Sequence, residues 1–140
     1  MTGKWNLPLT YQPKIQPVID GNIRQTIRIV KNSEKLTFPN LHKKKVGDLI
    51  RFYVWAGKPY RSKRKTITEY TPLTEVKNIF ISPNGWGVEY CDSIPWEHPI
   101  TDLLAKLDGI VPPTGSALKD VIMEKNKIPN NGVKAQILRW

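Results

Sequence analysis

The stretch from Gly21 to Val30 combines a glycine turn with alternating cationic and hydroxyl side chains. Side chains alternate between the two faces of a β-strand, so Arg24, Thr26 and Arg28 would share one face of a strand that begins after the glycine. Neighbours in this row would stand about 7 Å apart. Because an arginine guanidinium pairs bidentately with phosphate or a base carbonyl, the row predicts contacts to anionic groups or base edges. Ion pairing with neighbouring strands is the alternative, although few acids lie in this half of the chain.

A second set of candidate binding residues begins on the strand predicted after the Gly47-Asp48 turn. Alternate residues give this strand one apolar face and one face of cations and aromatics, and a strongly basic segment follows it. Basic residues interleaved with aromatics can hold a phosphate backbone and stack a base. A solvated hairpin tip would have a similar composition. The residues predicted to bind in this way are Arg51, Tyr53, Trp55, Lys58, Tyr60, Arg61, Lys63 and Arg64.

An enzyme would need a nucleophile, a base and an anion-stabilising group. Thr26 could be the nucleophile and Glu69 the proton acceptor, with Arg24 or Lys58 supplying positive charge, provided that the fold brings them together. The sequence contains neither a phosphate-binding glycine loop nor a Ser/His/Asp signature. Cys91, without a nearby histidine, is expected to be a small buried residue.

No metal site and no cofactor are expected. Cys91 is the only cysteine, which excludes a cysteine-based zinc site, and the only two histidines, His42 and His98, lie far apart.

The distribution of charge favours a polyanionic partner. The 140 residues carry a net charge of +10, but residues 1–65 hold 15 Lys and Arg against 3 Asp and Glu, a net of +12. A segregated excess of this size is typical of proteins that bind nucleic acid or nucleotides, while a surface that only keeps the protein soluble is the alternative. With 39% apolar residues, no apolar run that could span a bilayer and no signal-peptide stretch, we expect one globular domain over residues 1–140. We expect it to be monomeric and cytoplasmic, with no membrane partner.

The elements that must position these residues are mostly short strands. A strand at 7–11, a short helix with Pro17 in its first turn, and a strand at 24–30 are predicted first. A strand ending at Trp55 follows, then two strands broken near Pro72 and a returning strand after the turn at 83–85. Two helices, at 100–108 and 114–126, precede a last strand at 134–140. This order predicts an α+β domain built on a small mixed β-barrel, with the helices packed around it.

The sequence KIQPVIDGNIRQTIRI, residues 14–29, followed by KVGDLIRFYVW, residues 45–55, resembles the ASCH family of the PUA-like superfamily. The resemblance covers roughly the first 60 residues. It implies a pseudo-barrel with a cleft beside the Thr-Ile-Arg strand, into which Arg24, Thr26 and Arg28 would point. Related domains bind RNA.

Some small ASCH proteins are amidohydrolases that remove the acyl group from N4-acetylcytidine, and Thr26 matches their catalytic threonine. Those enzymes carry a lysine two residues after the glycine, where this chain has Ile23, and Glu69 is only a guessed counterpart of their glutamate. Arginine stays protonated, so Arg24 cannot replace that lysine as a base.

Three hypotheses follow. The leading one is a nucleic-acid-binding module, with RNA favoured over DNA on the resemblance, that uses Arg24, Thr26 and Arg28 in a cleft and the basic segment on phosphates. A nucleotide-like ligand would use the same cleft. The second is an amidohydrolase that acts on a modified nucleoside such as N4-acetylcytidine. The third is a protein-interaction domain that recruits an acidic partner through the basic face.

Overall fold

The computed structural model describes residues 3–30, 44–57, 62–88 and 94–140. Within them the chain is α+β, as predicted, with three helices and two separate sheets. The strands are β1 (Lys4–Pro8), β2 (Gln25–Ile29), β3 (Leu49–Trp55), β4 (Arg64–Thr66), β5 (Thr71–Pro72), β6 (Glu75–Ser82), β7 (Gly85–Val88), β8 (Ile94–Pro95) and β9 (Val133–Arg139). The helices are α1 (Gln12–Ile19), α2 (Pro99–Leu107) and α3 (Gly115–Lys125).

The first sheet is built around β3. Strand β1 runs parallel to β3 along one edge, and β4 and β5 pair antiparallel along the other. The predicted alternation on β3 is present: Ile50 and Phe52 are each 1% exposed and lie in the core.

The second sheet has the order β2-β9-β6-β7-β8, and all its pairs are antiparallel. Alternation along β9 sends Ala135 and Ile137 into a core shared with α2 and α3, while Leu138 enters a second core shared with the first sheet. The second sheet is therefore packed on both faces, which brings the edge strand β2 close to the first sheet.

The buried indoles of Trp86 and Trp96 both have hydrogen-bond acceptors. Trp86 Nε1 donates to Thr101 Oγ1 at 3.0 Å and Trp96 Nε1 donates to the Ser82 carbonyl at 3.1 Å. Both tryptophans belong to the core beneath α2 and α3, so neither is available as a stacking platform.

Both C-terminal helices are confirmed and have side-chain caps. His98 Nδ1 accepts from the Ile100 amide, and Thr114 Oγ1 accepts from the Ala117 amide. Of the apolar residues that predicted α2, only Leu104 is buried. Ile100, Leu103 and Leu107 are between 41% and 55% exposed, because the inward face of α2 is formed by Thr101, Leu104 and Ala105.

The N-terminal elements differ in register from the prediction. The first strand is Lys4–Pro8 rather than 7–11, and α1 begins at Gln12, so Pro17 lies inside the helix instead of in its first turn. Pro13 occupies the first turn, where the missing amide hydrogen costs no helical bond. Gly21, at φ +79°, then turns the chain into β2.

The described residues form two sheets and not a closed barrel. Strand β2 pairs only with β9 in this part of the chain, and no ladder joins it to β1 or β3. A hydrogen bond from the Arg28 side chain to the Pro8 carbonyl bridges this gap instead.

Candidate functional site

A cavity of about 680 Å³ opens along the free edge of β2. Its lining comes from the β1–α1 segment, α1, β2, α3 and the residues that lead into β3. Since β2 has no second ladder partner in the described chain, this edge leaves a space that side chains surround. The volume lies in the range of small-molecule sites.

Arg28 bridges the two sheets across this space. Its Nη2 donates to the Pro8 carbonyl at the end of β1, at 2.7 Å. Its Nε is buried and has no hydrogen-bond partner among the described residues. One edge of the guanidinium is thus fixed by the backbone, while another donor is left without a protein acceptor.

Two lysines and one carboxylate lie near Arg28 in the cavity. Lys14 Nζ lies 3.2 Å from Asp108 Oδ1, and both side chains are at most 10% exposed. Lys44 Nζ lies 4.8 Å from the centre of the Trp5 ring, a cation–π contact. The charge of Arg28 acts on both lysines, so the three cations form one cluster.

Burial shifts the pKa of every charged group in this cluster toward the neutral form. It lowers the pKa of Arg28 to about 10 and that of Lys44 to about 8, where the charge of Arg28 acts in the same direction. Burial also lowers the pKa of Lys14 and raises that of Asp108, against their mutual attraction. Whether or not a proton passes between them, Lys14 and Asp108 together carry no net charge. Arg28 and Lys44 add two more basic side chains to the cavity, and the carboxylate of Asp48 acts on Lys44.

The other side of the cavity is aliphatic. Ile110, Leu118 and Ile122 line it and are at most 8% exposed, and Val121 lines it from the same helix as the latter two. Lys125 lines it as well but is exposed to solvent. The cavity therefore offers a cationic cluster facing an apolar surface, which suits an anionic ligand with a flat or apolar body.

A second cationic surface lies on the first sheet, on the face of β3 opposite the core. Here Arg64 Cζ lies 4.5 Å from the ring centre of Tyr53 and 5.4 Å from that of Trp55. The two rings meet edge to face at 5.5 Å. Arg51 Cζ lies 4.4 Å from the Tyr70 ring, and its Nε donates to Asn6 Oδ1. We call Arg51, Tyr53, Trp55, Arg64 and Tyr70 the cation–aromatic face.

The cation–aromatic face and the cavity are adjacent. Pro8 pairs with Tyr53 in the β1–β3 ladder, and the Pro8 carbonyl is the acceptor of Arg28. Neighbouring strands lie about 5 Å apart, so the Tyr53 backbone on β3 is one strand spacing away from the Pro8 carbonyl at the cavity. A polymer that contacts one surface could reach the other.

The predicted row Arg24, Thr26, Arg28 is divided between two cavities. Thr26 and Arg28 line the large cavity together, and Thr26 is 3% exposed. Arg24 precedes the first residue of β2, donates from Nε to the Trp140 carbonyl at 2.7 Å, and lines a separate cavity of about 350 Å³.

Glu69, the other candidate catalytic residue, also lines the smaller cavity, with Thr68 and Gly21. Thr26 and Glu69 therefore do not share a cavity. At the position where the amidohydrolases carry lysine, Ile23 packs against the second core and lies beside Gly109.

The basic segment after β3 is only partly described. Lys58, Tyr60 and Arg61 lie outside the described residues, as do His42 and Cys91. Lys63 and Arg64 are described and exposed.

Lys14, Lys44 and Asp108 were not predicted to belong to a site. A signal for Lys14 exists in the sequence: it lies four residues before Val18, so the two share a helical face, and both are buried. Asp108 directly follows α2 and Lys44 precedes β3, and neither position has a sequence pattern that marks it.

The described residues contain no group of three or more His, Cys, Asp or Glu placed to hold a metal ion. In the same residues, no helix has the length and apolar character needed to cross a bilayer.

Comparison of the chain with models of known protein families, with curated proteins and with solved structures finds no match. Membership of the ASCH family therefore stays a prediction that rests on the motif residues.

Proposed function

We propose that this protein is a nucleic-acid-binding module, with RNA as the favoured partner. The observation that carries the proposal is the cavity beside β2, where the basic side chains of Arg28 and Lys44 line a space whose other side is aliphatic. A nucleotide combines an anionic phosphate with a flat base that tolerates an apolar environment. Thr26 adds a hydroxyl that can donate to or accept from a base edge or a ribose.

The cation–aromatic face supports a polymeric ligand over a small one. Tyr53 is only 7% exposed, so bases would stack on the partly exposed rings of Trp55 and Tyr70 while nearby arginines attract the backbone, and this type of contact tolerates any sequence. Because the face adjoins the cavity through Pro8 and Tyr53, one strand could contact both. Lys63 and Arg64 would then contact phosphates.

We also infer an ASCH-like pseudo-barrel whose two halves are the two sheets. The bond from Arg28 to the Pro8 carbonyl supports it, since it joins β2 to β1 where a barrel would have to close. The resemblance to RNA-binding PUA-like domains is the reason for favouring RNA over DNA.

An amidohydrolase that acts on a modified nucleoside is the second candidate. The supporting observation is that Thr26, Lys14 and Asp108 line one cavity, where burial lowers the pKa of the lysine and raises that of the acid. Lys14 could thus take the role of the catalytic lysine, which Ile23 cannot fill. Glu69 would have no part in this reaction, because it lines the other cavity. Release of acetate from N4-acetylcytidine by the wild type but not by Thr26→Ala would support this candidate.

A fluorescence anisotropy titration tests the main proposal. Labelled single-stranded RNA, structured RNA and matched DNA are titrated at about 50 and 200 mM salt. We expect RNA to bind most tightly, with an affinity that falls steeply with salt because phosphate contacts release counterions. Affinity for an acidic protein partner together with no affinity for any nucleic acid would contradict the proposal and favour the protein-interaction hypothesis.

A further inference from the structure

The cavity beside β2 adjoins the edge of this strand rather than one of its faces. Four consecutive residues of β2 line it: Thr26, Ile27, Arg28 and Ile29. Successive side chains of a strand point to opposite faces, so one cavity meets all four only along the edge of the strand. The backbone of β2 therefore forms part of the cavity wall.

The hydrogen bonds to β9 determine which backbone groups point into this space. The Val30 amide donates to the Lys134 carbonyl at 2.9 Å, and the Arg24 carbonyl accepts from an amide at the other end of the ladder, at 3.2 Å. Bonded pairs occur at every second residue of an antiparallel ladder, so the even-numbered residues of β2 bond to β9. Ile27 and Ile29 therefore direct their N–H and C=O groups toward the free edge. Within the described chain, no ladder or loop hydrogen bond reaches these groups.

Each of these two residues presents a donor and an acceptor side by side. In a sheet, the two groups would exchange two hydrogen bonds with the residue opposite. Both residues are half-buried, and buried backbone groups without partners cost free energy. A ligand that supplies a matching acceptor and donor is therefore favoured at this edge.

The Watson–Crick edge of an RNA base supplies such a pair. Each of the four bases has an N–H donor next to an acceptor on this edge, and single-stranded RNA leaves it free for recognition. The faces of the base are flat and tolerate an apolar environment, which Ile110, Leu118 and Ile122 provide in this cavity. The buried Nε of Arg28, without a partner in the described chain, adds a donor for one more acceptor of the nucleotide.

The charge of the chain favours a base over a peptide strand, which is the other ligand that a free strand edge accepts. Residues 1–65 contain 15 Lys and Arg against 3 Asp and Glu. An excess of this size attracts a polyanion, and RNA is a polyanion that also carries bases.

From this geometry we propose that the free edge of β2 binds the Watson–Crick edge of an unpaired RNA base, with the backbone of Ile27 or Ile29 in the place of the pairing base. This inference rests on the proposed RNA-binding function and specifies the ligand of the same cavity. It requires a base that is not already paired, because a duplex uses the same donors and acceptors. The RNA bound in this cavity is therefore single-stranded.

Three uridine octamers in a competition binding assay test the inference. One is unmodified, one has a methyl group on N3 of every uracil, and one has a methyl group on C5. The N3-methyl group replaces the donor on the Watson–Crick edge, whereas the C5-methyl group adds the same bulk away from that edge. We expect the N3-methyl octamer to bind at least about tenfold more weakly than the unmodified one, because backbone groups are left without partners. The C5-methyl octamer should bind within about fourfold, the effect of one buried methyl group.

Amide hydrogen exchange measured by NMR locates the contact on the protein. In the free protein, the amides of Ile27 and Ile29 should exchange faster than those of Thr26 and Arg28, which are bonded to β9. The unmodified octamer at saturation should slow exchange of at least one of the two outward amides by about tenfold or more. The N3-methyl octamer at saturation should not. Thr26 and Arg28 are the matched controls on the same strand.

The outcomes separate this inference from the proposed function. Equal affinity for the three octamers overturns base-edge recognition and leaves RNA binding intact, whereas no affinity for any octamer overturns both. Slow exchange of Ile27 and Ile29 in the free protein, or exchange that the unmodified octamer does not change, also overturns the inference. Protection of these amides by a tetraglutamate peptide and by none of the octamers would overturn it as well and assign the edge to a peptide strand.

Discussion

The cavity beside β2 and the cation–aromatic face use the same residue types under opposite conditions. In the cavity Lys14 and Lys44 are buried and Arg28 is half-buried, and the pKa values of all three are lowered. Arg28 donates to the Pro8 carbonyl, and Lys14 pairs with Asp108. On the face, Arg64 is exposed and lies against the rings of Tyr53 and Trp55. A change in the cavity should therefore alter stability and specificity, while a change on the face should alter affinity and its salt dependence.

Removal of Asp108 should have the largest effect on the free energy of unfolding. A small effect would contradict the view that the charges in the cavity are buried and those on the cation–aromatic face are not. Asp108→Ala leaves Lys14 buried without its counter-ion, and removal of one partner of a buried pair costs about 3–5 kcal/mol. Urea unfolding at pH 7 measures the change in the free energy of unfolding. The double variant Lys14→Met/Asp108→Asn carries neither charge and should recover most of the loss. Wild-type stability for Asp108→Ala would show that Lys14 can reach water.

Removal of charge from the cation–aromatic face should have an intermediate effect, on binding alone. Arg64→Gln should weaken RNA binding by about 1 kcal/mol and reduce the slope of log affinity against log salt by about 0.7 for a single strand. The free energy of unfolding should change by no more than about 0.5 kcal/mol, since the residue is exposed. Anisotropy at several salt concentrations gives the slope, with Lys77→Met as the charge-matched control. An unchanged slope would exclude Arg64 from the interface.

The smallest effect should be a pH dependence of stability that arises from Lys44. Among the described residues, burial and the charge of Arg28 lower its pKa, Asp48 raises it, and the Trp5 ring contacts the ammonium group. Because its pKa is about 8 in the folded protein, below its ordinary value of 10.5, the unfolded chain binds more protons between these values. Stability should therefore rise with pH across that window and lose this contribution as the pH falls through about 8.

The comparison with Lys44→Met isolates this contribution, because other groups titrate in the same range. Urea unfolding of both proteins at pH 7.5 and 9.5 should show a larger gain for the wild type. Equal gains would mean that Lys44 titrates as a solvated lysine.

Local sequence patterns predicted most helices and strands, but they did not predict which faces of these elements are buried or what they pack against. The alternation of β3 predicted the burial of Ile50 and Phe52 on one face, because two-residue periodicity is a property of the strand itself. It did not predict that Tyr53, on the other face, is only 7% exposed. The period of α2 predicted the helix, but the face it buries depends on where α3 and β8 pack. Counting alternate residues assigns Arg24 to the strand face of Thr26 and Arg28, but β2 begins at Gln25, one residue after Arg24.

The sequence by itself determined the α+β class, the excess of cations in the first half and the presence of Thr26 and Arg28 on one strand, since these follow from composition and local periodicity. Only the tertiary structure decided which charges share a cavity. Lys14, Arg28 and Asp108 are up to 94 residues apart in the chain, and their contacts depend on how α1 and the end of α2 pack around the free edge of β2. Packing of this kind is set by many distant side chains together, and no short stretch of sequence encodes it.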